Sequence, residues 1–163
     1  MSKLRELLDK VYEGKGIQEK EYGRFPFEIA SECGAEEVFE IILSLESFQC
    51  KKERVEDWDG DSQDGYWRLQ KDYSKLLACL TSKFPQEVVS GLRSQCLETR
   101  FWVAHALSEA PTAEAVTALT EYLESEMPEH HRSTAEKALK ACKSKLSLGS
   151  RIFGKRWSIR RSS

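Results

Sequence analysis

The 163-residue chain predicts an all-α fold, an antiparallel helical repeat of about seven helices. Three observations carry that expectation. Apolar residues recur at helical spacing along most of the chain, strand-type alternation is weak throughout, and separate segments match one another at fixed offsets. The best-formed unit is residues 100–125, RFWVAHALSEAPTAEAVTALTEYLES, which reads as two helices joined by a short Ala110-Pro111-Thr112 turn.

In chain order, Leu4, Leu7, Leu8, Val11 and Tyr12 mark a first helix over 2–13, with Ser2 as its N-cap and Gly14-Lys15-Gly16 as its end. A helix–turn–helix pair follows. Pro26 belongs in a first helical turn, Gly34 interrupts, and Val38, Ile41, Ile42 and Leu45 form a second stripe over 35–47. From Phe48 to Gly65 the period dissolves into KKERVEDWDGDSQDG, the composition of a loop about a dozen residues long. Helical spacing returns over 66–80 with Trp67, Tyr73, Leu76, Leu77 and Leu80. Pro85 opens a shorter helix carrying Val89, Leu92 and Cys96, and Ala135, Ala138, Leu139 and Cys142 define a final one. Residues 1–147 are therefore expected as one helical domain with an acidic loop at 53–65, and 148–163 as a basic C-terminal cap or tail.

The internal matches are specific. Residues 35–47, AEEVFEIILSLES, and 113–125, AEAVTALTEYLES, share Ala, Glu, Val, an aliphatic at Ile41/Leu119 and a closing Leu-Glu-Ser, 78 positions apart. An Arg-x-x-apolar-x-x-Ala pattern recurs at Arg24/Phe27/Ala30, Arg100/Val103/Ala106 and Arg132/Ala135/Ala138. One helix pair cannot bury its apolar face alone, so neighbouring pairs must stack, and small residues such as Ala106 and Ala138 allow a close approach.

Arg100-x-x-Val103-Ala104-x-Ala106-Leu107, followed by Ala113-Glu114-Ala115-Val116-x-Ala118-Leu119, resembles a HEAT repeat of the short bacterial type related to phycobilin-lyase repeats. The resemblance is good over 98–142, fair over 24–47 and weak over 66–96. It implies pairs of antiparallel helices stacked into a curved solenoid, the second helix of each pair lining the concave face. Two departures stand out: Ala110-Pro111-Thr112 replaces the usual turn glycine and aspartate, and the repeats are unevenly spaced. Such repeats are scaffolds for many functions, so function must be argued from sites.

A chain that is 40% apolar and 32% charged suits a globular domain, and no run approaches the ~18 apolar residues of a membrane span. The opening MSKLRELLDKVYEG holds no signal-peptide apolar core, so a cytoplasmic location is expected. Five scattered cysteines without CxxC spacing read as reduced thiols rather than a disulfide framework. The net charge of −2 hides an uneven distribution: residues 1–65 carry 9 Lys+Arg against 17 Asp+Glu, whereas 148–163 carry five Arg+Lys and no acid.

Little in the sequence points to catalysis or to a cofactor. His105, His130 and His131 are the only histidines, and Cys96 with His105 lacks an identifiable orienting third group. Phosphate-cradling glycine motifs are absent. His130 and His131 would sit roughly 100° apart on a helix, poorly placed to share an ion. Asp57-x-Asp59-x-Asp61 fails as a calcium loop, with Ser62 where Gly is needed and Arg68 where Glu is needed. No metal and no cofactor are expected.

The acidic stretch is better suited to binding. Glu56, Asp57, Asp59, Asp61 and Asp64 surround or adjoin Trp58 and Trp67, and Glu36, Glu37 and Glu40 extend the acidity along the helix over 35–47. Aromatic side chains anchor interfaces, and acidic surroundings steer a basic partner. The leading expectation is a non-enzymatic adaptor or inhibitor facing a basic protein, in its most concrete form an immunity-type protein neutralising a toxin domain. Two alternatives rest on the HEAT-like resemblance: a nucleic-acid binder of the DNA-glycosylase kind, and a pigment lyase or chaperone. The basic tail, SRIFGKRWSIRRSS, suits a solenoid cap, an anionic surface or a fold-back onto the acidic first third.

Overall fold

A computed structural model describes the backbone of residues 30–52 and 60–158, with side chains over 30–46 and 70–147. The described chain is helical, with no strand among the described residues, as the periodicity predicts. The expected helix over 2–13 and the Pro26 turn lie outside the described residues. The helices are α1 (Ala35–Lys52), α2 (Gly60–Leu80), α3 (Pro85–Ser90), α4 (Leu97–Glu109), α5 (Ala115–Leu123) and α6 (Glu129–Ser158), with a 3-10 turn at Gly91–Arg93 after α3.

Local chemistry explains most boundaries. Gly34 leaves the helical ending at Glu32, and its N–H donates to Glu37 Oε2 at 2.8 Å, so α1 opens on its own acidic first turn. Lys83 Nζ donates to the Ala30 carbonyl at 3.3 Å, placing a cation at that preceding helix end. Pro85 starts α3, where a missing N–H is harmless. Arg132 Nη1 donates to the Leu123 carbonyl at 3.2 Å and closes the C-terminal end of α5 from α6.

Three expected boundaries move. The acidic loop is shorter than 53–65, because α2 already begins at Gly60 and includes Asp61 and Asp64. Helix α1 likewise continues to Lys52. Aspartate suits a helix N-terminus and lysine a helix C-terminus, so a composition that reads as loop also fits two facing helix ends. The third is Cys96, expected on the α3 stripe. It instead precedes α4, its N–H donating to Ser94 Oγ at 3.0 Å, while Ser94 Oγ donates to Glu46 on α1.

Helix contacts alternate. Among the even-numbered helices α2 packs on α4 and α4 on α6; among the odd-numbered, α1 packs on α3 and α3 on α5. Consecutive elements join the two sets, α1 with α2, α2 with α3, the 3-10 turn with α4, and α5 with α6, and α1 also packs across them on α4. The core lies between the sets, with Val38, Ile41, Leu76, Leu77, Leu80, Val88, Trp102, Leu107 and Leu119 almost fully buried. Gly91 is at a tight point: a Cβ there would lie 2.7 Å from Val103 Cγ2 and 3.2 Å from Ile42 Cδ1, so α1, the 3-10 turn and α4 meet closely because it has none.

The internal matches can be read against burial. The Arg100 and Arg132 segments agree at an offset of 32, since Thr99/His131, Val103/Ala135 and Ala106/Ala138 are all buried pairs and both arginines are half-buried. The α1 and α5 segments do not keep the 78-residue offset of their identities. Their buried positions pair as Val38/Ala115, Ile41/Ala118, Ile42/Leu119 and Leu45/Tyr122, an offset of 77. One residue is about 100° of helix rotation, so the identical residues face different surroundings in the two helices.

Candidate functional site

Burying Val38, Ile41, Ile42 and Leu45 fixes which side of α1 faces outward. That outer side carries Glu36, Phe39, Glu40 and Leu43 at i, i+3, i+4 and i+7. Phe39 is 46% and Leu43 61% exposed, and Leu146 is the only other large apolar side chain so exposed among the described residues. In the burial register the counterparts of Glu40 and Leu43 on α5 are Thr117 and Thr120, both exposed and polar. The fold therefore accommodates a polar residue at the position of Leu43. Single exposed apolar residues are ordinary, but two on adjacent turns of one helix face form a small patch.

The surroundings of the patch are acidic. Segments 30–46, 84–96 and 110–127, which hold the described parts of α1, α3 and α5, contain ten glutamates and one base, Arg93. Arg93 is itself paired with Glu121, Nη2 to Oε2 at 3.2 Å. Positive charge concentrates elsewhere: α6 has eight Lys+Arg against two Glu.

The sequence-derived site residues divide three ways. Glu36 is exposed and Glu40 half-buried on the outer side of α1, whereas Glu37 is half-buried and accepts the Gly34 N–H, a capping role. Asp61 and Asp64 belong to the first turns of α2 rather than to a loop, and Trp67 lies on the same helix, as its spacing predicts. Glu56, Asp57, Trp58 and Asp59 lie outside the described residues. Phe39 and Leu43 escaped the sequence reading, although apolar residues lying off a helix's own core stripe were a usable signal.

A second cluster gathers all three histidines of the chain around Phe101. His131 stacks on its ring at 4.5 Å between centroids, His130 meets it edge-on at 5.7 Å and His105 lies at 6.5 Å. His130 and His131 rings are perpendicular, 4.4 Å apart. His131 is fully buried, with Nδ1 3.3 Å from the Tyr122 hydroxyl and Nε2 3.6 Å from Glu98 Oε1. Arg100 lies over the Tyr122 ring at 5.4 Å. Among the described residues no group of three His, Cys, Asp or Glu is arranged to hold a metal ion.

Ser74 and His105 resemble a nucleophile–base pair, with Ser74 Oγ 3.0 Å from His105 Nδ1. However, Ser74 Oγ donates its single proton to the Trp102 carbonyl at 3.0 Å and so accepts from the imidazole. Ser74 is also fully buried. The pair clamps α2 to α4. The buried thiols of Cys33 and Cys142 and the half-buried Cys79 are pushed up by desolvation, Cys33 to about 11, which disfavours thiolate chemistry.

Burial holds His131 and His105 below the usual imidazole range. The Glu98 carboxylate opposes this at His131 but is outweighed by desolvation, with His130 and Arg100 adding to the depression. The folded state thus keeps both rings neutral, while the unfolded chain takes up protons below about pH 6.5. The histidine contribution to stability is complete above that pH and is lost as pH falls through it towards the depressed folded values. The melting temperature should therefore drop between pH 7.5 and 5.5, by about 2–4 °C for each kcal/mol lost. His131→Phe, which keeps the stack on Phe101, should show a smaller drop; an equal drop in both proteins would contradict the assignment.

No protein-family model, curated protein or solved structure matches this chain.

Proposed function

We propose that the chain is a HEAT-like helical stack whose acidic, apolar-centred α1 face docks a basic protein partner. The odd–odd and even–even helix contacts support the stack, since pairing helices with their second neighbours builds two layers, which α1 bridges through α4. The 32-residue match of Arg100/Val103/Ala106 with Arg132/Ala135/Ala138, kept in burial as well as in sequence, supports a repeated unit.

The observation that carries the binding reading is the exposure of Phe39 and Leu43, which alternate with Glu36 and Glu40 along the outer side of α1. Apolar side chains provide the desolvated centre of an interface, and the glutamates around them steer and orient a cationic partner. The partner's matching chemistry is an apolar groove or ridge rimmed by lysine and arginine. A compact acidic module of this kind suits inhibition of a basic protein, and a toxin domain neutralised by an immunity-type protein is its most concrete form. The same glutamates repel phosphate, which disfavours a nucleic-acid groove on this face.

Charge reversal tests the reading. Partner recovered by the wild-type protein at low salt should be lost, by about tenfold or more, on Glu36→Lys with Glu40→Lys, and should fall with added salt. Recovery that ignores both salt and charge reversal would refute it. Acidic proteins as the recovered partners would refute it equally.

A further inference from the structure

The 30 residues of α6 make it about 45 Å long, against about 20 Å for α4, on which it packs. Among the residues whose side chains are described, which end at Ser147, its buried ones are His131, Ala135, Ala138 and Cys142, one stripe. From Lys143 to Ser147 every side chain is exposed, although five successive residues cover every direction around a helix. The helix therefore stands clear of the body over Lys143–Ser147, and its backbone continues to Ser158, sixteen residues or about 24 Å past Cys142. Up to Ser158, the segment expected as a basic C-terminal cap or tail continues the last helix.

The composition of that projection is one-sided. Residues 143–158 contain Lys143, Lys145, Arg151, Lys155 and Arg156 and no acid. Leu146, Phe153 and Trp157 occupy register positions i, i+7 and i+11, which share one helix face. We propose that this projecting helix lies on an anionic phospholipid surface. Basic residues around a stripe that includes Phe and Trp match the chemistry of a headgroup–acyl boundary, where aromatic rings and aliphatic chains insert while cations meet the lipid phosphates. A nucleic-acid backbone would use the charges but leave the apolar stripe exposed to water. The acidic body does not cancel the attraction, because 24 Å of helix far exceeds the screening length of about 8 Å at physiological salt. No described helix is long and apolar enough to cross a membrane, so the contact is peripheral.

Flotation of the full-length protein with vesicles tests the proposal. Vesicles of phosphatidylcholine with about 30% phosphatidylglycerol should carry at least about tenfold more protein than pure phosphatidylcholine, a difference lost at high salt. Arg151→Glu with Lys155→Glu and Arg156→Glu should abolish the difference. Phe153→Ser with Trp157→Ser should weaken binding even at low salt. An unchanged melting temperature in each variant separates lost binding from lost folding. Equal recovery on both vesicle types, or full binding by the charge-reversed variant, would overturn the proposal. Duplex DNA that displaces the protein from vesicles and survives the Phe153/Trp157 change would assign the helix to nucleic acid instead. A salt-sensitive dimer without lipid, abolished by Glu36→Lys with Glu40→Lys, would assign it to the α1 face of a second copy. The docking function of α1 stands or falls separately, since none of these substitutions except the last pair touches it.

Discussion

Trp102→Ala is expected to lower the unfolding free energy by about 3–5 kcal/mol, a large share of the total for a domain of this size. Trp102 is 2% exposed on α4, in edge contact with Phe101 at 5.0 Å and 5.7 Å from the His105 ring. Its backbone carbonyl accepts the Ser74 hydroxyl from α2, so the residue lies where α2 and α4 meet. Neighbours fully buried on the same helix, Val103, Ala104, Ala106 and Leu107, are already packed and cannot collapse into the space a lost indole would leave. Urea unfolding measures the effect through a lower midpoint at unchanged slope. Trp102→Phe should lose about half as much. A change below about 1 kcal/mol for the alanine variant would mean that α4 is not the centre of the core.

Phe39→Asp combined with Leu43→Asp is expected to leave stability nearly unchanged and to remove partner binding. Burial separates the two effects: Val38, Ile41, Ile42 and Leu45 hold α1 on the core, whereas Phe39 and Leu43 are 46% and 61% exposed. Surface substitutions away from core and caps change stability by about 0.5 kcal/mol or less. Truncating a buried interface anchor costs about 2 kcal/mol or more, so losing two anchors lowers affinity by about a thousandfold. A melting temperature lowered by more than about 5 °C would place these side chains in the packing of the fold rather than on its binding face.

Helix existence was legible where apolar periodicity was strong and the ends were marked. The pair flanking Ala110-Pro111-Thr112 follows the sequence reading, because Val103, Ala106, Leu107, Ala115, Ala118 and Leu119 leave few alternatives to a buried stripe. Ends without strong periodicity were ambiguous. Asp61, Asp64, Lys51 and Lys52 read as loop because a polar run with glycine suits both a loop and two helix termini.

Tertiary relations were legible only in part. The arginine–alanine pattern kept its offset of 32, since close helix approach demands alanine at the contact. The 78-residue match did not: Val38 and Leu45 are buried on α1, whereas their matches Val116 and Leu123 on α5 are only half-buried. That slip also hid Phe39 and Leu43, whose exposure emerges only once the buried stripe is assigned. The convergence of His105, His130 and His131 on Phe101 joins α4 to α6 through space, and no spacing in the chain encodes it.

The docking face is tested most directly by a photo-crosslinking amino acid placed at Leu43, with Thr120 on α5 as the register-matched control. Crosslinking at 43 to a basic protein is expected, suppressed by Glu36→Lys with Glu40→Lys, while the probe at 120 yields little of the same product. Equal products from both positions, or a product at 43 that survives charge reversal, would contradict the assignment of α1 as the binding face.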